Sequence, residues 1–414
     1  MARETRCSNA RASSQHRTPW TRGYPLSTLF SDTGLPSGLS DDENEFISYV
    51  IGVIRDKIAP RAEEFDQSGE FPWDNIRILN ELGMNGVFIP EEYGGSPLSY
   101  CCYLKLVEEV SRGCPSTAIT WATTFHAISP VIAFGSEDQK SRYLPGIAAG
   151  GLAAVAITEG SGGSDAFAMQ STLTPDGDDT LVLNGSKIFI TNGDVADVML
   201  VFAKWPDGPE RKKQMSCVLV ERDTPGLEVI RRESKLGHRA SSTVELSFTN
   251  CRVPRSNLLG GQGRGFEILL SMLNKSRPSV AAEAIGIARA AFDECRDYIN
   301  ERKQFGQRIL DFQGVQFMLA DMATKIVMAR SWLMEVGRMV DAGCTDFDVQ
   351  ASILKLAASD AAMSVATNAV QLQGGYGYMT GSKVERLFRD AKLTQIWEGA
   401  NELHRSRIGK SFLD

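Results

Sequence analysis

Between residues 39 and 150, apolar positions recur at helical spacing. Phe46, Val50, Val53 and Ile54 fall on one helical face, and Ser40-Asp41-Asp42-Glu43 before them supplies a capping residue and early acids. Pro90 through Gly95 interrupts the pattern as a turn; it resumes at Leu104, Val107 and Val110, and again from Ala118 to Phe134. Residues 151–262 change to period two. Leu181–Leu183, Asn184-Gly185 and Ile188–Ile190 predict a hairpin, because Asn-Gly accepts the positive φ of a tight turn. Further strands are predicted at Val198–Ala203, Cys217–Glu221, Leu227–Ile230 and Val244–Phe248. From Gly265 the helical period returns. Phe312, Val315, Leu319, Met322 and Ile326 mark one face, and the Ala-rich run Ala351–Leu372 stops at Gly374-Gly375. Helices, then strands, then helices predict an α+β fold, mainly α, with antiparallel bundles (39–150 and 263–414) around a small β domain (151–262).

Composition changes this picture mainly by exclusion. The 414 residues are 43% hydrophobic and 23% charged, with a net charge of −7. That is ordinary globular usage, and it lacks the basic stripe of a nucleic-acid binder. No apolar run approaches the roughly 18 residues of a transmembrane helix. The eight cysteines contain no C-x-x-C pair, so a reducing compartment is expected, the cytoplasm of a bacterium first. No two of His16, His126, His238 and His404 share metal-ligand spacing, so no metal site is expected. Residues 1–38 are rich in Arg and Ser and poor in acids. They read as a disordered extension or an upstream start; the alternative is a transit peptide, which would place the chain in the mitochondrial matrix.

Five segments carry candidate chemistry. Thr158-Glu159-Gly160-Ser161-Gly162-Gly163-Ser164-Asp165 is a glycine-rich turn that suits an anion, or is a plain surface loop. In Lys187–Gly193, Phe189 and Thr191 lie two apart on a strand; they suit a flat ring and its edge, or Phe189 is simply core. Asn274-Lys275-Ser276-Arg277-Pro278 contains a proline that predicts a helix start or kink, and Arg277 suits an anion or carboxylate, or is a solvated arginine. Glu301–Arg308 with Gln371–Gly377 suits a pyrophosphate, or is a charged helix end and a cap. In Gln395–Glu402, Glu398 sits among apolar groups beside a glycine; burial there would raise its pKa and make it a general base, or it is a capping residue.

Taken together, the chain from about residue 40 to 412 resembles the acyl-CoA dehydrogenase family. The resemblance rests on Ile89–Gly95, Phe134–Lys140, Thr158–Asp165, Lys235–Ser241, Glu301–Gly306, Gln371–Gly377, and Arg389–Lys392 leading into Trp397-Glu398-Gly399, in that order. It implies an N-terminal helical domain, a middle β domain, a C-terminal four-helix bundle, bound FAD and a homotetramer. It also implies an acyl-CoA substrate, with electrons passed to an electron-transferring flavoprotein. By position, Thr158, Gly163 and Ser164 would contact the flavin and its phosphates, Ser164 also facing substrate. Phe189 would cover the ring and Thr191 would meet its N5. Arg302, Phe305, Gln313, Gln371, Gly374 and Gly375 would hold the ADP part across a subunit boundary. Asn274, Arg277, Trp397 and Gly399 would lie on the substrate side, with Glu398 as the catalytic base. Branches with the base elsewhere carry it at the position of Ser276, where serine cannot serve. The family's usual Glu-Pro-Gly-Ala-Gly-Ser-Asp is Glu159-Gly160-Ser161-Gly162-Gly163-Ser164-Asp165 here, and its Tyr-Glu-Gly-Thr is Trp397-Glu398-Gly399-Ala400. The expected reaction is α,β-dehydrogenation of an acyl-CoA. By analogy the helix Thr117–Ser129 lines the acyl pocket, where Trp121, Phe125 and His126 favour a short, branched or cyclic acyl group. The alternatives are an oxidase, a carrier-protein thioester dehydrogenase or a flavin monooxygenase on the same fold, or a non-catalytic helical scaffold.

Overall fold

The computed structural model describes residues 38–206 and 210–413. The reading of residues 1–38 as an extension or transit peptide falls, but for Gly38, outside the described residues. Helix α1 (Asp41–Val53) begins at a reciprocal cap: the Ser40 hydroxyl accepts the Glu43 N–H at 3.2 Å, and the Glu43 carboxylate accepts the Ser40 N–H at 2.9 Å. Helices α2 (Ala62–Ser68) and α3 (Trp73–Glu81) lead to a short 3₁₀ turn, Glu91–Tyr93, stopped by Gly94 at φ 83°. Helices α4 (Tyr100–Gly113) and α5 (Pro115–Phe134) are buried on nearly all sides, and α6 (Glu137–Ala148) completes the N-terminal helical domain.

The middle of the chain forms β1 (Ala153–Ala156), β2 (Thr172–Pro175), β3 (Thr180–Thr191), β4 (Val198–Lys204), β5 (Met215–Glu221), β6 (Leu227–Arg232) and β7 (Thr243–Pro254). They make one seven-stranded sheet in the order β1-β4-β2-β3-β7-β6, with β5 paired to β4. Leu173, Leu183, Val201, Val218, Leu246 and their neighbours form the core of one face. On the other, Leu200, Phe202, Cys217 and Leu219 pack against residues of α5 and α6 and against Ile268, Leu269 and Met272.

The predicted Asn184-Gly185 hairpin does not form. Strand β3 continues through it and bulges against β7 between Leu183 and Gly185. Gly185 has φ 140°, and a Cβ there would lie 2.3 Å from the Ser171 hydroxyl. Its glycine therefore serves a close strand approach, a bulge signal and not a turn signal. The turn into β3 falls at residues 176–179, where Asp176 N–H donates to Thr180 O at 2.9 Å.

Helix α7 (Gly265–Glu301) also departs from expectation, because it neither starts nor stops at Pro278. A proline deletes one N–H bond to the residue four back; here the long, buried flanking helix continues through the gap. Glu301–Arg308 is a helix end followed by a two-stranded ribbon, β8 (Lys303–Gln304) and β9 (Gln307–Arg308), turned by Phe305 and Gly306 at φ 52° and 83°. Helices α8 (Gln313–Asp341), α9 (Asp348–Gln373), α10 (Lys383–Thr394) and α11 (Asn401–Lys410) complete the C-terminal helical domain. The predicted stop at Gly374 is present, at φ 60°. Arg289 on α7 pairs with Glu108 and Glu109 on α4, tying the two helical domains together.

Candidate active site

Glu398 lies in the turn between α10 and α11. Its backbone is left-handed, φ 52°, followed by Gly399 at φ 98°. The side chain is 14% exposed. Ser276, fully buried on α7, donates its hydroxyl to Glu398 Oε2 at 2.5 Å. His126 on α5 places Nδ1 3.9 Å from Glu398 Oε1, and its ring centroid lies 5.8 Å from that of Trp397. Burial pushes the His126 imidazole below its ordinary value, although the Glu398 charge pulls the other way. It is therefore a neutral neighbour near pH 7. Its Nε2, and the Trp397 indole N–H, are buried without a hydrogen-bond partner among the described residues.

Directly before the proline, Arg277 donates to Asn274 Oδ1 at 3.2 Å, so the structure brings this expected pair together. Burial, then the nearby Arg407, push the Arg277 guanidinium down to about 10. Behind the Glu398 turn, the buried Lys355 of α9 donates to Gly399 O at 2.7 Å and to Asn401 Oδ1 at 3.0 Å. Burial pushes this lysine down to about 7, against the favourable field of Glu398. His404, also buried, is pushed down to about 3 by burial and by Lys355 and Arg277. The Glu398 carboxylate thus sits near the buried Arg277 and Lys355, whose positive charge would favour an anion formed on a ligand.

The second part of the site is the loop from Thr158 to Ser164 beside β3. Glu159 anchors it. Its buried carboxylate accepts the Gln170 and Ser171 N–H groups and the Lys187 ammonium, the last at 2.7 Å. Lys187 is 0% exposed and also donates to Ile157 O at 3.0 Å. Burial alone would raise the Glu159 carboxyl; Lys187 and the backbone donors outweigh it, and the group is held below its ordinary value. With the ends pinned, Gly163 and Ser164 lie exposed, and neither N–H is bonded among the described residues. A Cβ at Gly163 would come within 3.3 Å of Thr158 Cγ2, a tight contact.

Phe189 stands on the neighbouring strand. The regular alternation expected there is interrupted: Phe189 has φ 60°, and the register with β7 shifts between Lys187 and Ile190. The ring is 61% exposed, whereas Thr191 is half-buried. A large apolar ring left out of the core, beside the half-buried hydroxyls of Thr158 and Thr191 that make no bond among the described residues, fits a flat ligand with a polar edge. Just after Thr191, Asn192 donates to Thr120 O of α5 at 2.9 Å. Thr120 precedes His126 by six residues, about 9 Å along the helix axis. Helix α5 therefore connects the Phe189 strand, through Asn192, with the Glu398 turn, through His126.

The expected ADP-binding residues divide. Arg302, Gly374 and Gly375 line one surface groove of about 420 Å³ with Tyr298, Gln373 and Tyr376. The Arg302 guanidinium lies 5.7 Å from the Tyr376 ring centre. Phe305, 94% exposed at the tip of the ribbon, and the exposed Gln313 and Gln371 are not among the groove's lining residues. Gln373 ends α9, eighteen residues beyond Lys355, about 27 Å along the helix.

Several functional neighbours carry no role in the sequence reading: Lys355, Asn401 and His404 around the base, and the Glu159–Lys187 pair behind the loop. The available signals are a lone lysine on a face otherwise made of Ala351, Leu354 and Ala358, and a lysine in the middle of an apolar strand.

Three family models match the chain in order: the N-terminal domain of acyl-CoA dehydrogenases over residues 40–151, the middle domain over 154–251 and the C-terminal domain over 263–413. An acyl-CoA dehydrogenase of Bacillus subtilis is 42% identical over 362 residues, 87% of this chain and 94% of its own. The solved structure of butyryl-CoA dehydrogenase from Megasphaera elsdenii superposes with a TM-score of 0.88 at 38% identity, covering 91% of this chain and 99% of that one. A chain of the structure described as the electron transferring flavoprotein of Acidaminococcus fermentans gives 0.88 at 40% identity, covering 91% and 98%.

Proposed function

Because the chain belongs to the acyl-CoA dehydrogenase family, a family of flavoprotein oxidoreductases, we propose that it converts an acyl-CoA thioester to the trans-2-enoyl-CoA, with Glu398 as the base that removes the α proton. The observation that carries this reading is the Glu398 carboxylate itself. It is held by Ser276, flanked by buried basic groups, and linked through α5 to an exposed aromatic ring.

FAD is the cofactor of this reading; when bound, it supplies a hydride acceptor. Thr158, Gly163, Ser164, Phe189 and Thr191 would hold its ring and nearer phosphate, since they present unpaired N–H and hydroxyl groups beside an uncovered phenyl face. Arg302, Gly374 and Gly375 would hold the ADP portion, with Phe305, Gln313 and Gln371 completing that part in the assembled enzyme. The stretch of about 27 Å along α9 from Lys355, beside the Glu398 turn, to Gln373 in their groove supports a flavin shared between subunits, as in the tetramers typical of this family.

The α C–H of a thioester is a weak acid, so the protein must stabilise the enolate as the proton leaves. The Glu398 backbone N–H makes no bond among the described residues and is free to donate to the thioester oxygen. Ser276 fixes one carboxylate oxygen, leaving Oε1 toward His126 and the proton. Arg277 and Asn274 would orient the thioester side, with Trp397 and Gly399 as walls. Positioning of this kind contributes several kcal/mol. Beyond His126, Phe125 packs on Tyr103 with ring centres 4.3 Å apart and Tyr103 on Trp121 at 5.5 Å. This aromatic block supports a short, branched or cyclic acyl group. An electron-transferring flavoprotein would reoxidise the enzyme.

The test is anaerobic bleaching of the purified yellow protein by a panel of short, branched, cyclic and medium-chain acyl-CoAs. Rapid bleaching by a short or branched thioester, with slow reoxidation in air, is expected. A colourless protein, or one no thioester bleaches, contradicts the reading.

A further inference from the structure

The turn that presents Glu398 is held from one side by a single stretch of α9. The turn is unusual in its backbone: Glu398 and Gly399 are both left-handed, a conformation that is strained for the glutamate. It is closed by the Asn401 N–H donating to Gln395 O at 3.0 Å. Lys355, Ser359 and Asp360 lie on one face of α9, four and five residues apart, and each holds part of it. Lys355 donates to Gly399 O at 2.7 Å and to Asn401 Oδ1 at 3.0 Å. The Asn401 amide donates to Ser359 Oγ at 2.9 Å and to Asp360 Oδ1 at 2.8 Å. Gln395 donates to the same Asp360 oxygen at 2.7 Å.

Lys355 is the costly member of this set. It is 0% exposed and has no carboxylate within 4.0 Å among the described residues. Burying an ammonium without an ion pair is unfavourable, because its desolvation is not repaid by an opposite charge. Ser359, Asp360 and Asn401 already brace the ends of the turn with cheaper groups. Lys355 donates directly to the carbonyl of Gly399, the residue after the base, and adds its charge to the field around the Glu398 carboxylate.

We propose that Lys355 is a positioning residue for the reaction: through the Gly399 carbonyl and the Asn401 side chain it fixes the left-handed turn that aims the Glu398 carboxylate. It touches neither substrate nor cofactor and exchanges no proton with them. The inference rests on the reading of Glu398 as the base.

The experiment compares wild-type holoenzyme with Lys355→Met and Lys355→Arg, all as full chains. Reduction is followed anaerobically with the panel thioester that bleaches wild type fastest, starting from butyryl-CoA. Binding is measured separately from the flavin spectrum with the corresponding enoyl-CoA, crotonyl-CoA in the first instance. Amide deuterium uptake over residues 395–401 is measured without any thioester. Lys355→Met is expected to stay yellow, to bind the enoyl-CoA within threefold of wild type, to reduce at least 100-fold more slowly, and to exchange faster at 395–401 alone. Lys355→Arg is expected to recover at least tenfold of the lost rate. Reduction by Lys355→Met within threefold of wild type overturns the proposal, as does a loss of rate matched by an equal loss of binding. If Lys355→Met does not fold, Lys355→Gln is read by the same criteria. Failure of both to fold makes Lys355 a core residue and also overturns it. A wild-type protein that no thioester bleaches would instead sink the proposed function, so the two failures are distinct.

Discussion

Replacing Glu159 by alanine removes the anchor of the glycine-rich loop while leaving its charged partner in place. Glu159 is 5% exposed and accepts two backbone N–H groups besides the Lys187 ammonium. In the variant, Lys187 stays buried with only the Ile157 carbonyl as partner among the described residues. Breaking a buried pair from one side costs about 3–5 kcal/mol. At ~2.1 cal/mol/K per residue, a cooperative unit of ~370 residues loses about 4–6 °C in Tm. Thermal melting at pH 7.5 measures this, with flavin fluorescence reporting release of the cofactor as the loop detaches from the Phe189 strand. Replacing both partners, as Glu159→Ala with Lys187→Met, should recover at least half the loss, because the uncompensated charge is gone. The pH dependence has a fixed sign. The folded Glu159 carboxyl lies below its ordinary value of 4.5, so its stabilisation is present above that value and lost as pH falls through the folded one. The gap between wild type and variant should therefore close in acid. A variant melting within 1 °C of wild type at neutral pH, with flavin retained, would refute this account of the loop.

Two further predictions concern the base and its surroundings. Gly399→Ala puts a Cβ at φ 98°, 3.1 Å from His404 Nε2, so slow reduction in a protein that still folds and stays yellow is expected in stopped-flow bleaching. His126 and His404 are buried with their folded values pushed below 6.5, His404 to about 3. The unfolded chain then binds more protons between 6.5 and the folded values, so denaturant-measured stability should fall as pH drops through that window and should fall less in His404→Phe.

Much of this architecture is legible in local pattern. The capped start of α1, the helices over 100–134 and the stop at Gly374 follow from periodicity and end signals, because each depends on residues within a few positions of one another. Asn184-Gly185 misleads for a definite reason: a turn and a bulge both need an unhindered backbone, and only the approach of Ser171 from another strand separates them. Pro278 misleads because tertiary burial of α7 overrides a local helix breaker. Glu398, Trp397 and Gly399 stand out as an acid and a glycine among apolar groups. What the acid meets does not stand out, since Ser276, His126 and Lys355 arrive from three other helices. The Glu159–Lys187 pair is hidden likewise, an acid in a loop and a lysine on a strand 28 residues later.

The central claim is that one carboxylate takes the α proton. Glu398→Gln keeps the shape and most contacts of the side chain, including an oxygen for the Ser276 hydroxyl, and removes only its basicity. Mixed anaerobically with the thioester that reduces wild type fastest, the variant should retain FAD and bind the thioester, yet leave the flavin oxidised over at least a thousandfold longer time. Bleaching at close to the wild-type rate would show that the proton goes elsewhere.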